Sequence, residues 1–300
     1  MQIDTTAAIP ASKEQKKGIS FTRKIKAYKN HPFSGVLALF TLLAALATFA
    51  LLASLVGYIV VKGIPYLTRD LFSLTYTSEN VSLVPSLVNT LIMTAVSLVI
   101  AAPLGIFAAI YLVEYAKKGS RLVGVIRITA ETLSGIPSIV YGLFGMLFFV
   151  TTLEWGLSLL SGACTMVIMI LPLIMRTAEE ALKSVPDSYR EASFGLGAGK
   201  LRTIFTIVLP SAVPGILAGV ILAIGRVVGE TAALIYTAGT VAAIPDSLMG
   251  SGRTLALHMY VLSSEGLHMN QASATAVVIL AFVLLINAAS GMVAKRIAKG

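Results

Sequence analysis

The sequence predicts an all-α integral membrane protein with six spanning helices, and three observations carry that prediction. Of 300 residues, 56% are hydrophobic and only 12% are charged, against about 25% charged residues in an ordinary globular domain. The mean hydropathy of +0.87 is too high for a chain whose surface faces water. Several apolar runs are long enough for a helix to cross a hydrocarbon core of about 30 Å at about 1.5 Å per residue. Together these exclude a soluble enzyme, a disordered scaffold and a fibrous protein.

The six runs are Val36–Val61, Leu87–Val113, Ile136–Thr151, Leu157–Met175, Ser211–Tyr236 and Ala272–Ala294. The first is too long for the apolar core of a signal peptide and reads as a retained span. The third is short and carries Gly135-Ile136-Pro137 at its start. Its helix is therefore expected to begin earlier, around Val123, and to break at the Gly-Ile-Pro step. Pro103 and Gly105 in the second run provide for a kink. Gly215 with Gly219, and Gly225 with Gly229, have the four-residue spacing that lets helices approach closely.

Lysine and arginine set the orientation. They concentrate before the first run, between the second and third, between the fourth and fifth, and after the sixth. The remaining intervals hold only Lys62, Arg69 and Arg253, and Arg226 lies inside a run. Positive residues stay on the cytoplasmic side, so both termini are expected in the cytoplasm. The net charge of +9 is then explained by topology and by contact with anionic lipid, without nucleic acid. The tail 1–35 is basic and polar, and residues 295–300 form a short cytoplasmic end. One cysteine, Cys164, and three scattered histidines, His31, His258 and His268, offer no disulfide and no ligand cluster.

The longest cytoplasmic interval, 177–206, is too polar for lipid yet patterned as helix. Glu179-Glu180-Ala181-Leu182 and Glu191-Ala192-Ser193-Phe194 read as two short surface helices separated by Pro186. Asp187 and Ser188 can start the second, and Gly195, Gly197 and Gly199 end it. Such a hairpin forms a rigid knob for a cytosolic partner. Gly197-Ala198-Gly199-Lys200 imitates the end of a phosphate-binding loop, but Phe194 and Leu201 occupy positions that need glycine and Ser or Thr. No nucleotide site is expected on this chain.

Charges in or near the runs are the other candidates. Arg226 and Glu230 fall at i and i+4 in the fifth run, a spacing that places them on one helical face where they can pair. Charge at that depth favours a protein interior or a wet pathway. A guanidinium there suits an oxyanion, and a structural ion pair is an equally open reading. Arg176 and Glu179 close the fourth run as an interfacial pair, and Glu131 has Arg127 one turn before it. No Ser/His pair, paired aspartate motif or metal-ligand set supports an intramembrane enzyme.

The spaced positions Glu191-Ala192-Ser193, Gly197, Ile207 and Leu209-Pro210 resemble the EAA loop of ABC importer permeases, with Ser193 where the pattern has a third alanine. Three further segments resemble the permeases of the phosphate-specific importers, the Pst system: Glu131–Gly145, Arg176–Leu182 and Gly225–Ala232. Arg176-Thr177-Ala178-Glu179-Glu180 and Ser251–His258 are closer to the A-type (PstA) than to the C-type subunit. Ala233 departs from a Thr-Ala-Pro run common in that family. The resemblance covers roughly residue 87 to the C-terminus.

It implies a type I permease fold over residues 85–294, in which Glu191, Ala192, Ser193 and Gly197 form a coupling helix that docks on an ATP-binding subunit. It also implies a multi-pass protein of a bacterial or archaeal cell membrane, moving inorganic phosphate inward by alternating access past Arg226, Glu230, Arg176 and Glu179. The implied partners are a C-type permease forming a heterodimer, two ATP-binding subunits and an extracytoplasmic phosphate-binding protein. ATP and Mg would be used by the partner, and this chain would bind no cofactor. Import of sulfate, molybdate or phosphonate, and a non-transporting sensory role, are the alternatives.

Overall fold

A computed structural model describes residues 32–117 and 119–297. The basic tail up to His31, Lys118 and the last three residues lie outside the described residues. The described chain forms helices throughout and divides into two units, one ending at Tyr58 and the other beginning at Ile59. In the first unit, α1 (Pro32–Gly63, running four residues past Ile59) has 32 residues, about 48 Å of helix. It is apolar on every side, as a lipid-embedded helix is.

The second unit is built on three long helices. These are α2 (Val84–Ile110, extended by a π turn, Tyr111–Tyr115), α5 (Leu159–Lys183) and α8 (Leu209–Gly229). Between them lie α3 (Arg121–Ser134), α4 (Ser138–Gly145), α6 (Asp187–Gly195) and α7 (Lys200–Thr203). After them come α9 (Ala232–Ile235), α10 (Leu255–Glu265) and α11 (Met269–Ile297). The core of Met93, Met166, Ile170, Ile174, Ala223 and Leu234 fills the space where α2, α5, α8 and α9 meet.

Glycines let these helices approach closely, because lipid tails are as apolar as leucine and helix association rests on close van der Waals fit. A Cβ on Gly105 would lie 2.9 Å from the Ile174 side chain, and one on Gly215 would lie 2.7 Å from the Ala181 Cβ. A Cβ on Gly219 would strike the Thr177 hydroxyl. The first glycine pair in the fifth run therefore packs as its spacing predicts. Gly225 and Gly229 have no atom within 4 Å of an added Cβ, so the second pair makes no close contact among the described residues.

Hydrogen bonds fix the direction of each helix. Near the start of α2, Asn89 Nδ2 donates to the Ala243 and Arg253 carbonyls. At the start of α5, the Leu159 and Leu160 amides donate to Gly250 and Leu248, satisfying helix N–H groups that have no intrahelical acceptor. Both helices thus begin at the loop that spans residues 236–254. Both finish beside Arg190, which binds Glu114 after α2 and the Leu182 carbonyl of α5. Two parallel helices require a return crossing between them. Only α3 and α4 are available for it, so this pair is one span, bent by 101°.

The bend falls at Gly135-Ile136-Pro137, where a proline disfavours helix at the residue before it. The Tyr141 hydroxyl donates to the Leu133 carbonyl at 2.6 Å and pins the two arms together. Counting the bent pair once, the apolar helices make six spans, and the all-α, six-span expectation holds. The fourth run does not end at Met175. α5 continues to Lys183, so Glu179-Glu180-Ala181-Leu182 is its last turns and not a separate surface helix.

The α5–α8 contact gives the clearest stability test. Gly219→Ala puts a methyl group into the Thr177 side chain and should lower stability by about 1–3 kcal/mol, as overpacking does. Gly225→Ala adds the same methyl to open space and should leave it unchanged. Thermal unfolding of the two purified variants in matched detergent checks the contrast.

Candidate functional site

The polar hairpin is assembled from short pieces. Pro186 precedes α6 and Asp187 is its first acidic residue, favourable at the positive end of a helix. After Gly195 the chain turns through Gly197 at φ +82°, a conformation open to glycine without a Cβ penalty. The Ala198 amide donates to the Ser193 carbonyl at 3.1 Å. Ser193 is buried, and its hydroxyl lies 2.8 Å from that of Thr203 on α7. The serine that departs from the alanine pattern therefore ties the two arms of the hairpin together. Glu191, Ala192 and Gly197 are exposed.

Around these residues the hairpin displays an apolar surface that none of the described residues covers. Leu196 is 90% exposed, and Tyr189, Phe194 and Leu201 are about half or more exposed. Beside them, Tyr189, Ala192, Leu196, Arg202 and Ile207 line a hollow of about 530 Å³. Pro210 has no N–H to continue the helical ladder, and the residues just before it, Ile204–Val208, form a π turn into α8.

Arg190 holds the hairpin to the bundle. Its Nε and Nη2 donate to Glu114 Oε1 at 3.0 and 2.8 Å. Its Nη1 donates to the Val185 carbonyl and to Asp187 Oδ1, and its Nη2 also reaches the Leu182 carbonyl. Both side chains of the pair are largely buried, at 14% and 9% exposure. A guanidinium so placed fixes a helix to its neighbours more rigidly than a lysine could. Lys200 Nζ lies 4.8 Å over the Tyr115 ring, a second link to the same π turn. Sequence reading counted Arg190 only as a topological charge and passed over Glu114. The one available signal was a carboxylate placed just past an apolar run.

Glu179 is buried at the end of α5. Its Oε1 lies 2.6 Å from Arg127 Nη2 on α3 and 2.7 Å from Lys183 Nζ. The expected Arg176–Glu179 and Arg127–Glu131 pairs are not formed. Arg176 instead meets Glu180 at 3.4 Å, because i and i+4 on a helix share a face whereas Glu179 turns inward toward α3. Arg176, Glu180 and Glu131 are exposed. Together with Arg127, Glu179 and Lys183 they line a cleft of about 220 Å³.

Arg226 and Glu230 also differ from the expected face-sharing pair. α8 ends at Gly229, and Glu230 is extended at φ −75°, ψ 131°, which removes the helical register the pairing needs. Glu230 turns inward and its Oε1 accepts the Ala233 amide at 3.2 Å, serving the start of α9. Arg226 occupies the last turn of α8, where a cation complements the helix end. It is exposed and lies within Coulombic reach of Tyr141 on α4. The break at 230–231 forms with Ala233 in place of proline. Gly142 lets α4 approach so closely that a Cβ there would lie 2.7 Å from the Ala233 Cα. Among the described residues, no three His, Cys, Asp or Glu side chains come together as a metal site.

The model of the binding-protein-dependent transport system inner membrane component family matches residues 101–299. A probable ABC transporter permease protein, YqgI of Bacillus subtilis (strain 168), is 34% identical over 245 residues, covering 76% of this chain and 82% of its own. The phosphate transport system permease protein PstA 1 of Mycobacterium tuberculosis (strain ATCC 25618 / H37Rv) is 38% identical over 211 residues, 69% of this chain and 68% of its own. PstA of Yersinia pestis is 46% identical over 139 residues, 46% of each chain. Among solved structures, a chain of a bacterial alginate ABC transporter aligns with a TM-score of 0.67 at 16% identity, over 91% of this chain and 98% of its own. A chain of the MetNI methionine ABC transporter in an inward-facing conformation aligns at 0.56 and 20% identity, over 71% and 93%. At such identities the likeness shows the fold, and that fold is the ABC importer permease fold expected from the sequence. The chain is a multi-pass membrane transport subunit, and it belongs to the family of inner membrane components of binding-protein-dependent transport systems.

Proposed function

We propose that this chain is the A-type permease of an importer that moves inorganic phosphate into the cytoplasm by alternating access. The observation that carries the reading is Arg226, an exposed cation at the end of a spanning helix beside the broken α8–α9 junction. A charge facing lipid at that depth is costly. The face bearing Arg226 is therefore closed by a second permease subunit, and the guanidinium lies on the wet path between the two. The open space around Gly225 and Gly229 is consistent with a partner helix there. Phosphate oxygens match the planar donors of arginine. The phosphate permeases among the relatives supply the substrate.

In this reading both termini and the α6–α7 hairpin face the cytoplasm. Tyr189, Phe194 and Leu196 seat in a separate ATP-binding subunit, which uses ATP and Mg and supplies the work. Two such subunits, a C-type permease and an extracytoplasmic phosphate-binding protein complete the assembly. Closure of the ATP-binding pair pushes the hairpin, and Arg190 passes the displacement to Glu114 and α2. Glu230 keeps α9 seated beside the path. The Arg127–Glu179–Lys183 cluster ties the bent α3–α4 span to α5 on the inner side.

Two outcomes test this. Arg226→Gln at normal membrane abundance should reduce uptake of labelled phosphate at least tenfold, and Glu230→Gln should reduce it less. Undiminished uptake in both variants removes the pathway role, and competition by sulfate equal to that of phosphate changes the substrate. Glu114→Gln removes the buried counter-charge of Arg190 and leaves only the exposed Asp187, at a cost of about 1–3 kcal/mol. It should raise the ratio of ATP hydrolysed to phosphate moved in the reconstituted assembly. An unchanged ratio would show that the clamp does not transmit.

A further inference from the structure

At the end of the bundle away from the hairpin, a second arginine is enclosed by the protein without a counter-charge. Arg253 is 4% exposed and forms no ion pair among the described residues. Its Nε and Nη2 are sealed from solvent and have no acceptor. The guanidinium carbon lies 4.7 Å over the Tyr76 ring, which compensates the charge only in part. Its backbone is fixed by bonds to Val241 and Asn89, so the side chain cannot leave without breaking the loop.

Its chain neighbour repeats the pattern. Thr254, the residue that starts α10, is fully buried and its hydroxyl has no partner. His258, one turn into α10, is fully buried and stands edge-on to the same Tyr76 ring at 6.2 Å. Burial, with the Arg253 charge second, pushes its pKa down to about 3, against a smaller opposing effect from the Val81 backbone. The imidazole is therefore neutral at physiological pH and, bonded to the Val81 backbone, adds no second positive charge beside Arg253. The α10 N-terminus adds the favourable end of an 11-residue helix. Val81, which closes the cluster, is held at φ +46°, unusual for a β-branched residue and typical of strained ligand clamps.

Buried polar groups in native proteins are hydrogen-bonded, and buried charges are paired. Ordered water would satisfy the donors and leave the charge unbalanced. An acceptor of negative charge answers both. We propose that a compact inorganic anion binds at the start of α10, held by the Arg253 guanidinium and the Thr254 hydroxyl. It locks the Tyr76–Val81 segment to α10 and is separate from the path past Arg226. The proposal does not depend on the cargo or direction of transport.

The test uses the full chain in nanodiscs of zwitterionic lipid, dialysed into gluconate, with thermal unfolding followed as chloride or inorganic phosphate is added. The midpoint should rise saturably by several degrees with at least one of them, which identifies the occupant. The rise should be lost in Arg253→Gln and kept in Arg69→Gln, an exposed control. A flat wild-type response, an unchanged rise in Arg253→Gln, or a rise lost only in Arg226→Gln overturns the proposal. If Arg253→Gln does not fold, wild-type crystals soaked in bromide and, separately, in arsenate decide. An anomalous peak within hydrogen-bond distance of Arg253 supports the site, and its absence from both overturns it.

Discussion

The structure depends on how closely α2, α5 and α8 approach one another. In lipid, burying leucine against leucine brings little gain, so cohesion must come from backbones brought near enough for dense packing. Gly105 against Ile174, Gly215 against Ala181 and Gly219 against Thr177 provide that approach. With the three helices held together, the hairpin, the bent span and the 236–254 loop each have a fixed surface to attach to.

Helix breaks in a membrane expose peptide groups, and here each break is satisfied by protein. The α3–α4 bend is bridged by Tyr141 to the Leu133 carbonyl. The α8–α9 break is served by the Glu230 carboxylate at the Ala233 amide. Irregular backbone at such depth is tolerated where protein or a water-lined cavity surrounds it. The two breaks lie side by side, since Gly142 of α4 packs on Ala233. That contact brings the α3–α4 bend and the α8–α9 break into one neighbourhood.

Charge is used differently at the hairpin end. Arg190 gathers Glu114, Asp187 and two carbonyls at the end of α5, so the hairpin moves with α2 and α5 as a unit. Glu179 gathers cations from α3 and α5 and holds the bent span to the same frame. The buried clamp is what stiffens the hairpin's stem.

Much of this was legible in the chain itself. Hydropathy set the six spans, Gly135-Ile136-Pro137 marked the bend, and the Glu191-to-Pro210 spacing marked the hairpin, because these depend on local backbone preference and on the thickness of the bilayer. Side-chain partners were not legible. Arg226 and Glu230 are four residues apart, yet the helix stops between them. Glu179 chose Arg127 over its neighbour Arg176, and Arg190 found Glu114, 76 residues away. Such choices are made when separate helices pack and the nearest desolvated charge becomes the best partner, which only the tertiary arrangement decides.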